Sequence, residues 1–176
     1  YTGKEVYGKT IGIIGLGDIG IKIARIAHGF DMKVLGLNRS KKPILGVRLV
    51  DKQTLLKESD IIVTVVPLTE ETTGIISEKD IALMKNGVIL INPAMEPLTD
   101  NNAVIKAVEN RKIFGFGIET EIMKPVPPDS PYLKHPRILV TPHNAFNTED
   151  ANIKSYELAI MNVKTFVDGK PQNVVN

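Results

Sequence analysis

The 176-residue sequence has no cysteine and no tryptophan, few aromatics (5%) and three histidines. Without thiols, disulfide staples, thiolate nucleophiles and Cys-ligated zinc are excluded, and no metal site is expected. An excess of charge of one sign is missing too. The 22 Lys and Arg stand against 20 Asp and Glu, a formal +2, too weak a field to suggest nucleic-acid or membrane-surface partners. No apolar run approaches the ~18 residues of a membrane span, and the start YTGKEVYGKT lacks a signal-peptide pattern. A cytoplasmic location is expected. What is present is 43% hydrophobic residues in a length that suits one domain with a substantial core.

Seven short β-rich runs, residues 9–14, 33–38, 47–50, 60–66, 88–92, 113–118 and 137–140, alternate with helical segments. Several are apolar without period-two alternation, the pattern of strands covered on both faces. The expected fold is α/β: a Rossmann-type doubly wound parallel sheet of about seven strands with helices on both faces, in a single domain over residues 1–176. The first helix, 18–30, collects Ile19, Ile23, Ile26, Ala27 and Phe30 on one face and turns Lys22 and Arg25 away. Further helices fit 52–58, 78–84 and 100–109. A last one opens near Asn147, an N-cap type, carries a stripe of Ile153, Tyr156, Ile160, Val163 and Val167, and stops at Gly169 before Pro171. The one proline-dense stretch, MKPVPPDSP (123–131), is expected to border a ligand crevice.

Within IGIIGLGDIG, Gly15, Gly17 and Gly20 form G-x-G-x-x-G directly after a strand and at the opening of a helix. Gly15 permits the tight turn, Gly17 lets the backbone approach a diphosphate, and Gly20 lets helix and strand pack closely. Free N–H groups at the helix start, beside Asp18 and Ile19, supply an anion site. The same glycines also suit a βα turn that binds nothing, or an S-adenosylmethionine site; the βαβ setting favours a nicotinamide dinucleotide. Asp18 is expected to point to solvent, because a carboxylate facing a diphosphate would repel it.

The next strand ends in LNRSKK. Asn38 stands where NAD-specific sites carry an acid for the ribose hydroxyls, and Arg39, Ser40, Lys41 and Lys42 follow it. A 2′-phosphate would meet charge-assisted donors there, so the cofactor is expected to be NAD or NADP, with NADP tolerated or preferred. A solvated basic turn is the alternative.

GLGDIG, LLKESDIIVTVVPLTEETTGII (55–76), LMKNGVILIN (83–92) and ILVTPHN (138–144), in this order and spacing, resemble the cofactor-binding domain of the D-isomer-specific 2-hydroxyacid dehydrogenases. The resemblance implies hydride transfer between nicotinamide and C2 of a 2-oxo or 2-hydroxy acid. It implies three side chains: an Arg that clamps the substrate carboxylate, a His that moves the proton on the substrate oxygen, and a Glu that pairs with the His. It also implies a homodimer and a substrate domain that precedes the fingerprint, so that this chain is expected to be the cofactor-binding part of a longer protein.

Carried over by position, His143 matches the catalytic His, whereas Met95 fills the Arg position and Lys124 the Glu position. Met95 can pack against a nicotinamide but cannot clamp a carboxylate, and a lysine beside His143 opposes its protonation. A rearranged site would use Lys124 for the carboxylate and Glu96, Glu119 or Glu121 as partner of His143. The resemblance further marks Val66, Pro67, Thr72, Pro93, Ala94, Met95, Glu119, His143 and Ala145 as cofactor contacts. His28 and His135, outside these motifs, are expected to be structural. Two functions follow: an NAD(P)-dependent oxidoreductase with an altered site, or a dinucleotide-binding module that senses or scaffolds without catalysis.

Overall fold

Val34, Leu35, Ile62, Val63, Leu90 and Ile113 are each less than a tenth exposed, the burial expected of strands packed on both faces. In the computed structural model, which describes residues 3–40, 42–120 and 126–175, all seven anticipated runs are strands. They are β1 (Thr10–Ile14), β2 (Lys33–Leu37), β3 (Arg48–Leu49), β4 (Ile61–Thr64), β5 (Val88–Asn92), β6 (Ile113–Glu119) and β7 (Ile138–Thr141). They pair in parallel in the order β3-β2-β1-β4-β5-β6-β7.

Parallel neighbours require crossovers, and helices make most of them. These are α1 (Asp18–Gly29), α2 (Lys52–Glu58), α3 (Glu78–Leu83), α4 (Asn101–Glu109) and α5 (Pro131–Lys134), with α6 (Glu149–Val167) after β7. The side chains of Asp51, Ser77 and Asp100 accept N-cap hydrogen bonds at α2, α3 and α4. Leu55, Leu56, Ile81, Val104, Val108 and Tyr132, from α2 to α5, share a core with Leu90, Phe116 and Ile118 of the sheet. Ala24 and Ala27 of α1 share a second core with Ile11, Ile13, Val34 and Val63. Helices therefore lie on both faces.

Two expectations about helices are corrected. The face that α1 turns to the sheet is Gly20, Ala24 and Ala27, with Ile23 packed at its edge; of the expected face Ala27 and Ile23 meet the core, whereas Ile19, Ile26 and Phe30 are 64%, 62% and 57% exposed. Small residues win that position because the helix lies close to β1, where a Cβ on Gly20 would fall 2.0 Å from the Gly15 carbonyl oxygen. The N-cap of α6 is Thr148, whose side chain accepts from the Ala151 amide, while the Asn147 side chain accepts from Asn152. Two short elements were not anticipated: a 3-10 turn over Glu96–Leu98 and α5, which opens at Pro131, the last residue of the proline-rich stretch.

The chain divides into two compact units, Tyr1–Pro142 and His143–Asn176. The first holds the whole sheet. The second is built on α6, which has no buried residue. Among the described residues, no helix is long and apolar enough to cross a membrane.

Candidate functional site

Strand order reverses at β1, whose two neighbours are β2 and β4. In open α/β sheets this switch point leaves a crevice at the carboxyl ends of the strands, where ligands bind. The G-x-G-x-x-G turn closes that end of β1. Gly15 has φ +99°, a conformation open to glycine, and a Cβ there would lie 2.7 Å from the Val65 carbonyl oxygen. Its amide donates to the Leu37 carbonyl at 2.9 Å, which ties the turn to the end of β2. Gly17 is the N-cap of α1, is exposed, and has no atom within 4 Å of an added Cβ. The turn thus packs tightly behind Gly15 and stays open above Gly17, as a bound diphosphate requires. Asp18 and Ile19 are exposed in the first turn of α1.

Asn38 follows β2 and braces the glycine turn. Its Oδ1 accepts from the Leu16 amide at 3.4 Å, and its Nδ2 donates to the Ser40 carbonyl at 3.3 Å. Arg39, Ser40 and Lys42 are exposed; Lys41 lies outside the described residues. Past β4, Val65 and Val66 are half-buried and Pro67 is exposed. The hydroxyl of Thr72 donates to the Pro67 carbonyl at 2.7 Å and accepts from the Thr69 amide at 2.8 Å. Thr72 therefore fastens the loop that carries Pro67 back towards the sheet.

After β5, the buried Asn92 side chain donates to the Met95 carbonyl at 2.8 Å and accepts from the Ala94 amide at 3.3 Å. It holds Pro93, Ala94 and Met95, all half-buried, in one turn. Asn92 was overlooked as a site residue, although a polar side chain closing the apolar run GVILIN was the available signal. The carboxylate of Glu96 accepts from Asn101 Nδ2 at 3.0 Å, and Thr99 donates to Asn101 Oδ1 at 2.9 Å. Glu96 thus carries a structural bond to the first turn of α4. Glu119 ends β6 at 6% exposure, in register with Thr141 of β7. Lys124 and Glu121 lie outside the described residues.

Near Glu96 lies a group that sequence reasoning missed. Tyr132 is 6% exposed and its hydroxyl, like that of Thr64, is buried without a hydrogen-bond partner among the described residues. Burial, followed by the negative charges of Glu96 and Asp100, raises its pKa far above the ordinary tyrosine value. It remains a neutral donor. A tyrosine just after a proline-rich stretch gave no sign of this.

In the second unit, His143 is half-buried with φ +52°, and its ring meets Phe146 edge-on at 5.9 Å. A left-handed backbone costs a non-glycine residue about 1–2 kcal/mol, and such strain concentrates at functional positions. Ala145 is exposed two residues on. His135, by contrast, is structural: its Nδ1 accepts from the Arg137 amide at 3.1 Å.

Residues 1–145 match the family model described as D-isomer specific 2-hydroxyacid dehydrogenase, NAD binding domain. The chain is 37% identical to a glyoxylate reductase of Korarchaeum cryptofilum, over 99% of its own length and 54% of the relative's. It superposes with TM-score 0.92 and 33% identity on D-lactate dehydrogenase of Lactobacillus jensenii solved with NAD+, covering 99% of this chain and 57% of that one. It superposes with TM-score 0.91 and 35% identity on an acyclic imino acid reductase solved with NADPH and D-Arg, covering 98% and 55%. The chain thus spans little more than half the length of these relatives. The glycine turn, the strand order and this match over most of the chain agree: the chain belongs to the D-isomer specific 2-hydroxyacid dehydrogenase family, as its NAD-binding domain.

Proposed function

We propose that the chain is the cofactor half of an oxidoreductase that passes hydride between a nicotinamide dinucleotide and a small 2-oxo or 2-hydroxy acid. The observation that carries this reading is the turn that is closed behind Gly15 and open above Gly17, at the strand-order reversal. When bound, the nicotinamide supplies or accepts the hydride. The residues of the chain would do the rest: Gly15, Gly17 and Gly20 with the first turn of α1 would seat the diphosphate; Asn38, Arg39 and Ser40 the adenosine ribose; Val66, Pro67 and Thr72 the middle of the dinucleotide. Pro93, Ala94, Met95, Glu119 and Ala145 would line the nicotinamide end, and His143 would move the proton on the substrate oxygen.

The exposed Arg39 and Lys42 support use of NADP as well as NAD, since a 2′-phosphate would gain charge-assisted donors. The two solved relatives differ on this point, one holding NAD+ and the other NADPH. In the longer protein a substrate domain would precede the chain, and the protein would act as a cytoplasmic homodimer.

A specific observation favours a second reading. Met95 presents a thioether where the family resemblance places a guanidinium, and Glu96, the acid next to it in sequence, is bonded to Asn101. A module that binds dinucleotide and catalyses nothing would need neither charged group. The longer protein, given NADH or NADPH and a panel of 2-oxo acids, is expected to turn over slowly and to lose that turnover in His143→Ala. Met95→Arg is expected to improve kcat/KM for 2-oxo acids by about tenfold or more, the value of a charge-assisted carboxylate clamp. Turnover only after that substitution, or none that His143→Ala removes, would leave the binding module as the function.

A further inference from the structure

Between β2 and β3 the described residues form no helix, so the connection itself must travel from the carboxyl end of the sheet to the amino end. Leu35 pairs with Arg48, which brings Gly46 level with the start of β2 and leaves Asn38 about 16 Å away along the strand. Arg39, Ser40 and Lys42, the exposed residues read above as facing a 2′-phosphate, lie between these two points. The connection is a strap, and the places where its ends are fastened decide where those side chains stand.

The upper end is fastened by Asn38 to the Leu16 amide and the Ser40 carbonyl, and the Ser40 hydroxyl accepts from the Lys42 amide at 3.4 Å. The lower end is a tight turn. The Val47 amide donates to the Ile44 carbonyl at 3.0 Å across Leu45 and Gly46, and Gly46 takes φ +76°. Pro43 holds Lys42 to extended backbone where the strap enters this turn. Ile44 and Val47 pack against the α1-side core. Val47 also shares a seat with Leu16 of the glycine turn: a Cβ on Gly36 would lie 2.5 Å from Leu16 and 2.8 Å from Val47. Gly46 rests on His28, in the last turn of α1, and an added Cβ would strike the imidazole. One helix, about 18 Å long for its 12 residues, thus opens at the diphosphate turn and ends at the lower fastening of the strap.

We propose that His28 is a positioning residue for cofactor choice: by seating Gly46 it fixes the lower end of the strap, and so sets how firmly Arg39, Ser40 and Lys42 hold the 2′-phosphate of NADP. The proposal rests on the reading that a dinucleotide lies at the glycine turn and that NADP is used. The six residues from Asn38 to Ile44 can span at most about 20 Å, so a shift of the lower turn is passed on to the side chains between. Holding those side chains in place beforehand removes an ordering cost from binding. NADH, with a hydroxyl at the 2′ position, gains nothing from the same cations. His28 itself touches only the strap, on the side of α1 away from β4.

The readout is affinity for each nucleotide. The longer protein would be titrated calorimetrically with NADPH and with NADH, at low and high salt, as the parent and as His28→Ala, His28→Gln and Gly46→Ala. His28→Ala withdraws the seat and Gly46→Ala adds a methyl that has no room; both are expected to weaken NADPH by about fivefold or more. NADH is expected to stay within about twofold of the parent, because its 2′-hydroxyl makes no charge-assisted contact. His28→Gln, whose amide reaches as far as the imidazole, is expected to keep the parent's ratio. The steeper salt dependence of NADPH, the mark of contacts to the 2′-phosphate, is expected to flatten in His28→Ala, which a loosened fold alone would not produce. The proposal is overturned if the two nucleotides weaken in step, if neither changes, or if His28→Gln loses as much as His28→Ala. A parent that takes NADH but not NADPH overturns the NADP reading and this proposal together. A parent that takes both, with a ratio that the variants leave unmoved, overturns this proposal alone.

Discussion

Two positions separate Gly15 from Gly17, and a side chain added at each has opposite consequences. At Gly15 it meets a positive φ and the Val65 carbonyl, so Gly15→Ala strains the turn itself. At Gly17 the backbone is extended (φ −79°, ψ −162°) and the space above is open, so Gly17→Val is expected to leave the melting temperature nearly unchanged. It is expected to weaken NADH binding by about tenfold or more, because the added methyls stand where the diphosphate would lie. Calorimetric titration beside thermal unfolding checks both halves, and a variant that binds NADH like the parent would remove the diphosphate from this turn. This much was legible in the sequence, because a tight turn before a helix start has only local steric requirements. The bracing bonds of Asn38, Thr72 and Glu96 were not: each goes to a partner that only the folded chain supplies, so residues read as ligand contacts or acids also serve as braces.

Elements were legible wherever burial set the pattern, and misread where helix packing did. All seven strands fall within two residues of the anticipated ends, while Ile19, Ile26 and Phe30 were assigned to a buried face of α1 that they do not join. Periodicity finds an apolar stripe; it does not say that a close strand selects glycine and alanine instead. Capping is the other local signal. Ser77 and Asp80 form a capping box at α3, and Asp80 also accepts from Lys52 at the start of α2, at 2.8 Å. Burial alone would raise the Asp80 pKa, but hydrogen bonds from Lys52 and Ser77 outweigh it and hold the carboxyl below its ordinary 3.8. A carboxyl held lower in the folded chain stabilises fully above pH ~4, and that stabilisation is lost as pH falls through the folded value. Ser77→Ala is expected to cost about 1 kcal/mol at pH 7, and less at pH 3, where the carboxylate that Ser77 donates to is partly protonated. Asp80→Ala is expected to cost more at pH 7 than at pH 3. Urea unfolding at the two pH values checks this, and a pH-independent Asp80→Ala penalty would show that the carboxylate's charge is immaterial.

Across the whole molecule, the sheet order has a temporal side. Most neighbouring strands join residues 13 to 28 positions apart, such as Leu35 with Arg48 and Ile61 with Ile89. The seam between β1 and β4 joins Ile11 to Ile61, fifty positions apart. Distant pairings carry the larger loop-closure cost and form late. The crevice lies on that seam, so it should be among the last features assembled during folding and should be absent from the transition state. NADH is then expected to leave the refolding rate of the chain unchanged while slowing its unfolding, a split that stopped-flow chevrons with and without the nucleotide would reveal. Faster refolding with NADH would mean that the seam closes early. The same topology that opens a berth for a dinucleotide thus delays it, and a newly made chain would have to close its longest-range strand pairing before it could hold a cofactor.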